Sequence, residues 1–274
     1  MFIRKFVSFS IFIFLVFSTF TAKAENSPSH TLDSLIREAI TLNPEILSAK
    51  NAFESASARI PQAASLNDPM IEFEYDRITA DRMLSGDPMK TFSVTQDIPF
   101  PTKLFLRAKI ASKLAKMAYE NYKAKERDVI ARVKSAYAEL ALIYKAIDIN
   151  KENKDILDQL SKTATTRYGA GQGTQADALK AQVELARVDN ELIMLEQKRI
   201  TAQARLNVLF SRDPKEDIGI PLPEPAIKFN RTLDDFYRMT LDTNQELKAY
   251  RYAIDRGKAA YDLSINEFLP DFTV

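Results

Sequence analysis

The chain has 274 residues, with 38 basic and 37 acidic side chains, six glycines, a single histidine (His30) and no cysteine. Near-neutral charge argues against a nucleic-acid partner, which usually needs a basic surface. Without cysteine there is no disulfide framework, and one histidine does not supply the soft or imidazole ligands of a metal centre.

The first residues set the compartment. Arg4 and Lys5 form a short positive stretch, residues 6–20 are an apolar run rich in Phe and Ile, and Ala22-Lys23-Ala24 has the small-x-small pattern of a signal-peptidase site. The apolar run is about 15 residues, shorter than the ~20 that span a bilayer. Residues 1–24 are therefore expected to be a cleaved signal peptide, leaving 35 basic against 37 acidic residues, a formal charge of −2. Scarce Gly, no Trp and abundant Ala, Leu, Lys and Glu lean the remainder towards helix.

The pattern predicts a short helix over 32–42. Asn43-Pro44 starts a second, because Asn suits the N-cap and Pro the first helical position. This helix is expected to run to about Leu66, where Asn67-Asp68-Pro69 stops it.

Residues 70–98 change period. Ile71, Phe73 and Tyr75 alternate with Glu72, Glu74 and Asp76, and Phe92 and Val94 alternate with Thr91, Ser93 and Thr95. Period-two alternation predicts a β-hairpin with one apolar and one polar face. A soluble half-buried hairpin and a membrane barrel with a wet lumen both show it.

A helical pattern without Pro or Gly is expected over 102–168. Within it Ile130, Val133, Tyr137, Leu140, Tyr144 and Ile147 recur at alternating steps of three and four, a heptad seam. At 1.5 Å per residue this helix reaches roughly 100 Å, longer than a compact globular domain needs. Tyr168, Gly169, Ala170, Gly171, Gln172, Gly173 and Thr174 then form the sharpest turn, with three glycines permitting reversal. No strand precedes it and no Gly-Lys-Ser/Thr closes it, so it is not a phosphate loop. Thr174 and Asp177 are a capping pair for a returning helix over 174–210, which carries Leu185, Val188, Leu192, Leu195, Arg199, Ala202, Leu206 and Leu209 at three and four; Arg199 is its one polar interruption.

Residues 211–232 are a proline-marked linker. The segment from Leu233 then restates the segment from Leu32 at an offset of 201: Asn43 matches Asn244, Glu45 Glu246, Ala52 Ala253 and Pro69 Pro270, with Leu35, Ile40, Ile46 and Ile71 opposite Phe236, Leu241, Leu247 and Phe272. The matches fall on caps, breakers and the helical face together, which predicts duplication of a structural half. On this reading 25–232 is a first repeat and 233–274 the start of a second. Val274 falls opposite Phe73 in that register, so the second copy is expected to be incomplete and the chain alone is not expected to form a stable open channel.

This order of elements resembles the TolC family of outer-membrane efflux channels, over essentially all of the chain after residue 24. The stretch Gln96-Asp97-Ile98-Pro99-Phe100-Pro101-Thr102-Lys103-Leu104 resembles the strand-to-helix crossing of the heavy-metal and cation-efflux branch, with Thr102 where that branch usually has Gly. The run from Arg167 to Thr174, with Asp177, Leu179, Ala181 and Gln182, is similar to the family's helix tip. Leu206-Asn207-Val208-Leu209-Phe210 is similar to the end of its returning helix.

The resemblance implies a mainly α fold with a small β part, in which long antiparallel coiled-coil helices join a β-hairpin contributing to a trimeric transmembrane barrel. It implies a passive conduit in the outer membrane with a periplasmic helical part, homotrimeric when complete, working with a periplasmic adaptor and an inner-membrane pump. Ile71, Phe73, Tyr75, Phe92 and Val94 would face lipid; Glu72, Glu74 and Asp76 would face the lumen and bias it against anions. Residues 168–174 would dock the adaptor. No catalytic residue, cofactor, metal or nucleic acid is implied. A periplasmic adaptor would flank its helical hairpin with Gly-rich β domains, and a secreted coiled coil would need neither alternating strands nor a repeat. A non-functional fragment of a channel is the remaining alternative.

Overall fold

The computed structural model describes residues 31–75, 90–222 and 230–274. The expected signal peptide 1–24, Asp76, the hairpin turn at 85–88 and part of the linker lie outside the described residues. Six helices run α1 Leu32–Leu42, α2 Pro44–Ala64, α3 Pro101–Gly169, α4 Gln175–Leu209, α5 Leu233–Thr243 and α6 Gln245–Asn266; four strands run β1 Met70–Tyr75, β2 Lys90–Thr95, β3 Asp97–Ile98 and β4 Phe272–Thr273.

α3 is the spine. Its 69 residues reach roughly 100 Å, and α2, α4, α6 and α1 all pack on it. The lower half pairs antiparallel with α4. Val133, Tyr137, Leu140, Ile143 and Ile147 of α3 and Leu195, Ala202 and Leu206 of α4 are buried together, joined by Leu35 and Ala39 of α1 and Ile46 of α2. Arg199 breaks this seam without leaving a bare charge. It donates to Glu196 Oε1 at 2.9 and 2.7 Å and to Gln203 Oε1 at 2.9 Å, and its guanidinium stands over the Tyr144 ring.

α2 continues the line of α4 along α3. Asn43 makes the joint. Its Oδ1 accepts from the Glu45 and Ile46 backbone N–H groups, capping α2, while its Nδ2 donates to the Leu209 carbonyl at the end of α4, 3.0 Å away. One buried side chain thus satisfies orphan groups at two helix ends. α2 stops at Ala64, two residues before the expected Leu66, where the Ser65 cap turns extended. Pro61, three residues earlier, already lacks the N–H that an interior turn would use.

α4 ends in a Schellman turn. The Arg212 N–H reaches the Asn207 carbonyl and the Ser211 N–H reaches Val208, with Ser211 in the left-handed region at φ 57°. The segment that follows is pinned across the hairpin. Asn207 Nδ2 donates to the Pro214 and Glu216 carbonyls, Gln203 Nε2 also donates to Glu216, and Arg212 forms a bidentate pair with Glu38 of α1. Further on, the Tyr137 hydroxyl accepts from the Leu222 N–H at 2.9 Å. The described part of the linker, residues 211–222, is therefore a strap with Ile218 buried beneath it.

α5 begins 201 residues after α1 and α6 201 residues after α2, and Asn244 caps α6 as Asn43 caps α2. α6 lies along the upper half of α3. α5 has no buried residue.

Leu140 is 0 % exposed and Leu142 71 % exposed, two residues apart on α3. Leu140→Ala is expected to cost about 3 kcal/mol in denaturant unfolding, and Leu142→Ala less than about 0.5 kcal/mol in the same chain. Equal costs would mean that the α3–α4 seam is not where the core lies.

Candidate functional site

The chemistry of this molecule sits at its two ends and along one edge. At the strand end, β1 and β2 pair antiparallel in a fixed register: Ile71 faces Val94, Phe73 faces Phe92 and Tyr75 faces Lys90, while Glu72 faces Ser93 and Glu74 faces Thr91. Paired residues share a face of a sheet. The register therefore gathers Ile71, Phe73, Tyr75, Phe92 and Val94 on one side, each between 52 and 67 % exposed. Glu72 and Glu74 stand on the other side with Ser93 and Thr91. The apolar face has no partner within the described chain.

β3 continues β2 and pairs with β4, Asp97 opposite Thr273 and Ile98 opposite Phe272. Gln96 and Val274 exchange both backbone hydrogen bonds, at 2.8 and 3.1 Å. Cross-strand pairing puts Phe272 and Val274 beside Ile98 and Gln96, on the side of Phe92 and Val94. The polar face gains Asp97 and Thr273, whose hydroxyl donates to Asp97 Oδ1 at 2.9 Å. The two short sheets thus carry Phe92, Val94, Ile98, Phe272 and Val274 on one side and Ser93, Asp97 and Thr273 on the other.

At the opposite end, α3 closes in a Schellman turn. The Gln172 N–H bonds the Arg167 carbonyl at 2.8 Å and the Gly171 N–H bonds Tyr168 at 3.0 Å. Gly171 is the left-handed residue, φ +71°, a conformation that costs a side chain about 1 kcal/mol or more. A capping box opens α4. The Asp177 N–H donates to Thr174 Oγ1 at 3.1 Å, and Thr174 Oγ1 donates to Asp177 Oδ2 at 2.6 Å. Tyr168, Gly169, Ala170, Gly171, Gln172, Gly173 and Thr174 are all exposed, so the structure brings the seven together as one rigid apex. They and the strand residues lie at opposite ends of α3.

Between the ends, α3 carries a second apolar stripe opposite α4, distinct from the heptad seam that runs from Ile130 to Ile147. Leu142, Ile149, Ile156 and Leu160 are exposed at steps of seven, seven and four. On α4, Leu179, Ala186, Ile193 and Ile200 recur every seven residues on the side away from α3, and Leu179, Ile193 and Ile200 are at least half exposed. The signal was present in the sequence as a second heptad phase, half a turn from the first. Among the described residues no helix is long and apolar enough to cross a membrane, and no three His, Cys, Asp or Glu converge to hold a metal ion.

Comparison with known proteins fits this geometry. Residues 35–210 match the family described as outer membrane efflux protein. The chain belongs to that family. It is a family of channels rather than enzymes, located in the outer membrane with a periplasmic helical part. Among solved structures, the chain is similar to the outer membrane protein VceC of Vibrio cholerae, at TM-score 0.70 and 20 % identity over 88 % of this chain and 60 % of that one. It is also similar to CusC, at TM-score 0.70 and 15 % identity over 89 % of this chain and 58 % of that one. The open MtrE outer membrane channel of Neisseria gonorrhoeae matches at TM-score 0.69 and 16 % identity, over 88 % and 56 %. At these identities the likeness establishes the fold, TolC-like. The chain spans less than two thirds of the length of each. Comparison with curated protein sequences finds no match.

In this efflux-family fold the apex has a measurable electrostatic feature. Hydrogen bonds from Thr174, first from its side chain and then its backbone, hold the Asp177 carboxyl below the ordinary aspartate range. A depressed carboxyl contributes stability above its unfolded pKa and loses it as pH falls through the folded value. The first turn of α4 is expected to loosen only below about pH 4, and Asp177→Asn is expected to remove that dependence. Carbon chemical shifts over residues 175–178 through an acid titration check this; an identical acid transition in the Asn variant would show that another group controls the turn.

Proposed function

We propose that this chain supplies the first half of a passive outer-membrane efflux conduit subunit, in which α2, α3, α4 and α6 form wall, the sheet forms part of a barrel, and the apex docks a periplasmic adaptor linked to an inner-membrane pump. The observation that carries the reading is the bare second seam of α3. α6 packs on α3 in the upper half, where Lys103 meets Asp271 and Lys113 meets Asp255. Below it, Leu142, Ile149, Ile156 and Leu160 continue uncovered. A helix with apolar seams on two opposite sides wants a neighbour on each, and α4 repeats the demand. Helices of this kind tile into a wall that is satisfied when it closes on itself.

The sheet supports the same reading. A face of Ile71, Phe73, Tyr75, Phe92 and Val94 suits lipid, and a face with Glu72 and Glu74 suits a wet, cation-favouring lumen. Closure is also what such a sheet needs, because unpaired backbone groups facing lipid cost several kcal/mol each. The domain reading follows from the 201-residue offset: residues 25–232 form one repeat, and 233–274 open a second with its own cap and strand. Three copies of a two-repeat subunit would close the ring. The choice of exported substrate is left to the pump.

The apex claim is tested in cells that depend on the full-length channel. Gly171→Pro forces φ to about −65° and removes the N–H bonded to Tyr168. Efflux is expected to fall to the level of a channel-deleted strain, with trimer yield in outer-membrane fractions unchanged. Normal efflux by that variant would sink the docking role. The wall claim is tested with Ile149→Asp and Ile156→Asp, which are expected to lower trimer recovery at least fivefold while a denaturant melt of the 274-residue chain stays within about 0.5 kcal/mol. Undiminished trimer would remove the second seam from the assembly.

A further inference from the structure

α3 begins without a side-chain cap of its own, and it has no acid in its first turn. The Phe100 N–H at its N-cap is instead accepted by Asp271 Oδ1 at 3.0 Å, from 171 residues away. Asp271 thus does what the N3 acid does in a capping box. The exchange is reciprocal. Lys103, in the first turn of α3, has a side chain only 3 % exposed. Its Nζ donates to the Leu269 carbonyl at 2.8 Å and the Glu267 carbonyl at 3.4 Å, closing the C-terminal end of α6, and to Asp271 Oδ1 at 2.9 Å. Each segment caps the other. Two further ion pairs run down the same α3–α6 interface, Lys109 to Asp262 at 3.8 Å and Lys113 to Asp255 at 2.7 Å.

Three of the four acids that meet these lysines have no acidic counterpart in the first repeat. At the 201-residue offset, Asp255, Asp262, Glu267 and Asp271 fall on Glu54, Pro61, Leu66 and Met70. The two related helices therefore do not carry the same label for this side of α3.

The strand beyond the clasp needs such a label. β4 pairs over only a few residues. Alternation of apolar and polar side chains rejects a slip of one residue, because it would turn every side chain to the wrong face. It does not reject a slip of two, which restores the faces. We infer that the Lys103–Asp271 clasp is a register lock: it fixes α6 axially against α3, and so selects one of the pairings of β4 with β3 that alternation alone leaves equivalent. Lys103 and Asp271 are positioning residues in this role. The inference rests on contacts within the chain and stands apart from the channel reading.

The absence of native cysteine makes the test direct. Asp97 and Thr273 form the pair without mutual backbone hydrogen bonds, the geometry in which side chains approach closest. In the whole chain, an Asp97→Cys/Thr273→Cys pair is expected to cross-link on mild oxidation, and Thr95→Cys/Thr273→Cys, which reports a slip of two, is not. Adding Lys103→Met or Asp271→Asn is expected to lower the 97/273 yield at least fivefold and raise the 95/273 yield, with Lys103→Arg retaining more of the native yield than Met. A control pair in the first hairpin, Ile71→Cys/Val94→Cys, is expected to stay constant. An unchanged 97/273 yield overturns the lock. So does a parallel fall in the 71/94 control, which would show Lys103 supporting the fold at large rather than register.

Discussion

Everything in this structure is referred to the unbroken backbone of α3. It is long enough to reach from the sheet to the apex without a joint, and it carries apolar positions in two phases about half a turn apart. One phase is spent on α2 and α4 placed in line; the other shows uncovered at Leu142, Ile149, Ile156 and Leu160, below the stretch where Lys103, Lys109 and Lys113 meet α6 and its C-terminal extension. A helix buried all round would be confined to an interior, and one with a single stripe would be satisfied in a hairpin. Two opposed stripes make it a plank, able to accept a neighbour on either edge while its remaining faces stay wet. The proposed wall rests on that patterning more than on any individual contact.

The middle of the plank is held differently from its ends. There the strap is pinned by amide side chains, Gln203 and Asn207, and by the Arg212–Glu38 pair, which ties the strap to α1. These groups are largely buried, where a donor left unpaired costs about 1–3 kcal/mol. The strap is thereby fixed at the level where α4 gives way to α2. The sheet end uses charge at helix termini, and the apex uses backbone turns closed by glycine. Three kinds of polar satisfaction thus occur at three heights along one apolar spine.

Much of this was legible in the sequence because the decisive signals were local. The heptad steps around Leu140, the glycines at 169, 171 and 173 and the Asn-Pro start at 43–44 each involve residues within a turn or two of one another. The alternation from Ile71 to Tyr75 likewise specified the two faces of the hairpin before its register was known. What escaped was non-local or chemically atypical. Lys103 and Asp271 lie 168 residues apart, and nothing around either announces the other. The left-handed turn at Ser211 uses a residue that pays strain where glycine would be expected. The second seam of α3 is hidden by the first, because a pattern with one strong phase conceals a weaker one. Arg199, marked as a flaw in the α4 seam, is accommodated by an aromatic face and two acceptors that only folding brings around it.

The Asn43 joint has a mechanical consequence. Along one side of the wall the load path is covalent through the whole length of α3. Along the other it crosses from α4 to α2 through the Asn43 amide, backed by α1 and by the strap that the Arg212–Glu38 pair ties to it. The two helices keep their dipoles head to tail across this junction, so it is electrostatically continuous, yet in bending it is far more compliant than a peptide backbone. A pair of beams in which one is whole and the other is spliced at mid-length does not flex uniformly. At the level of Asn43 the line of α2 and α4 depends on side-chain contacts, where α3 depends on its own backbone.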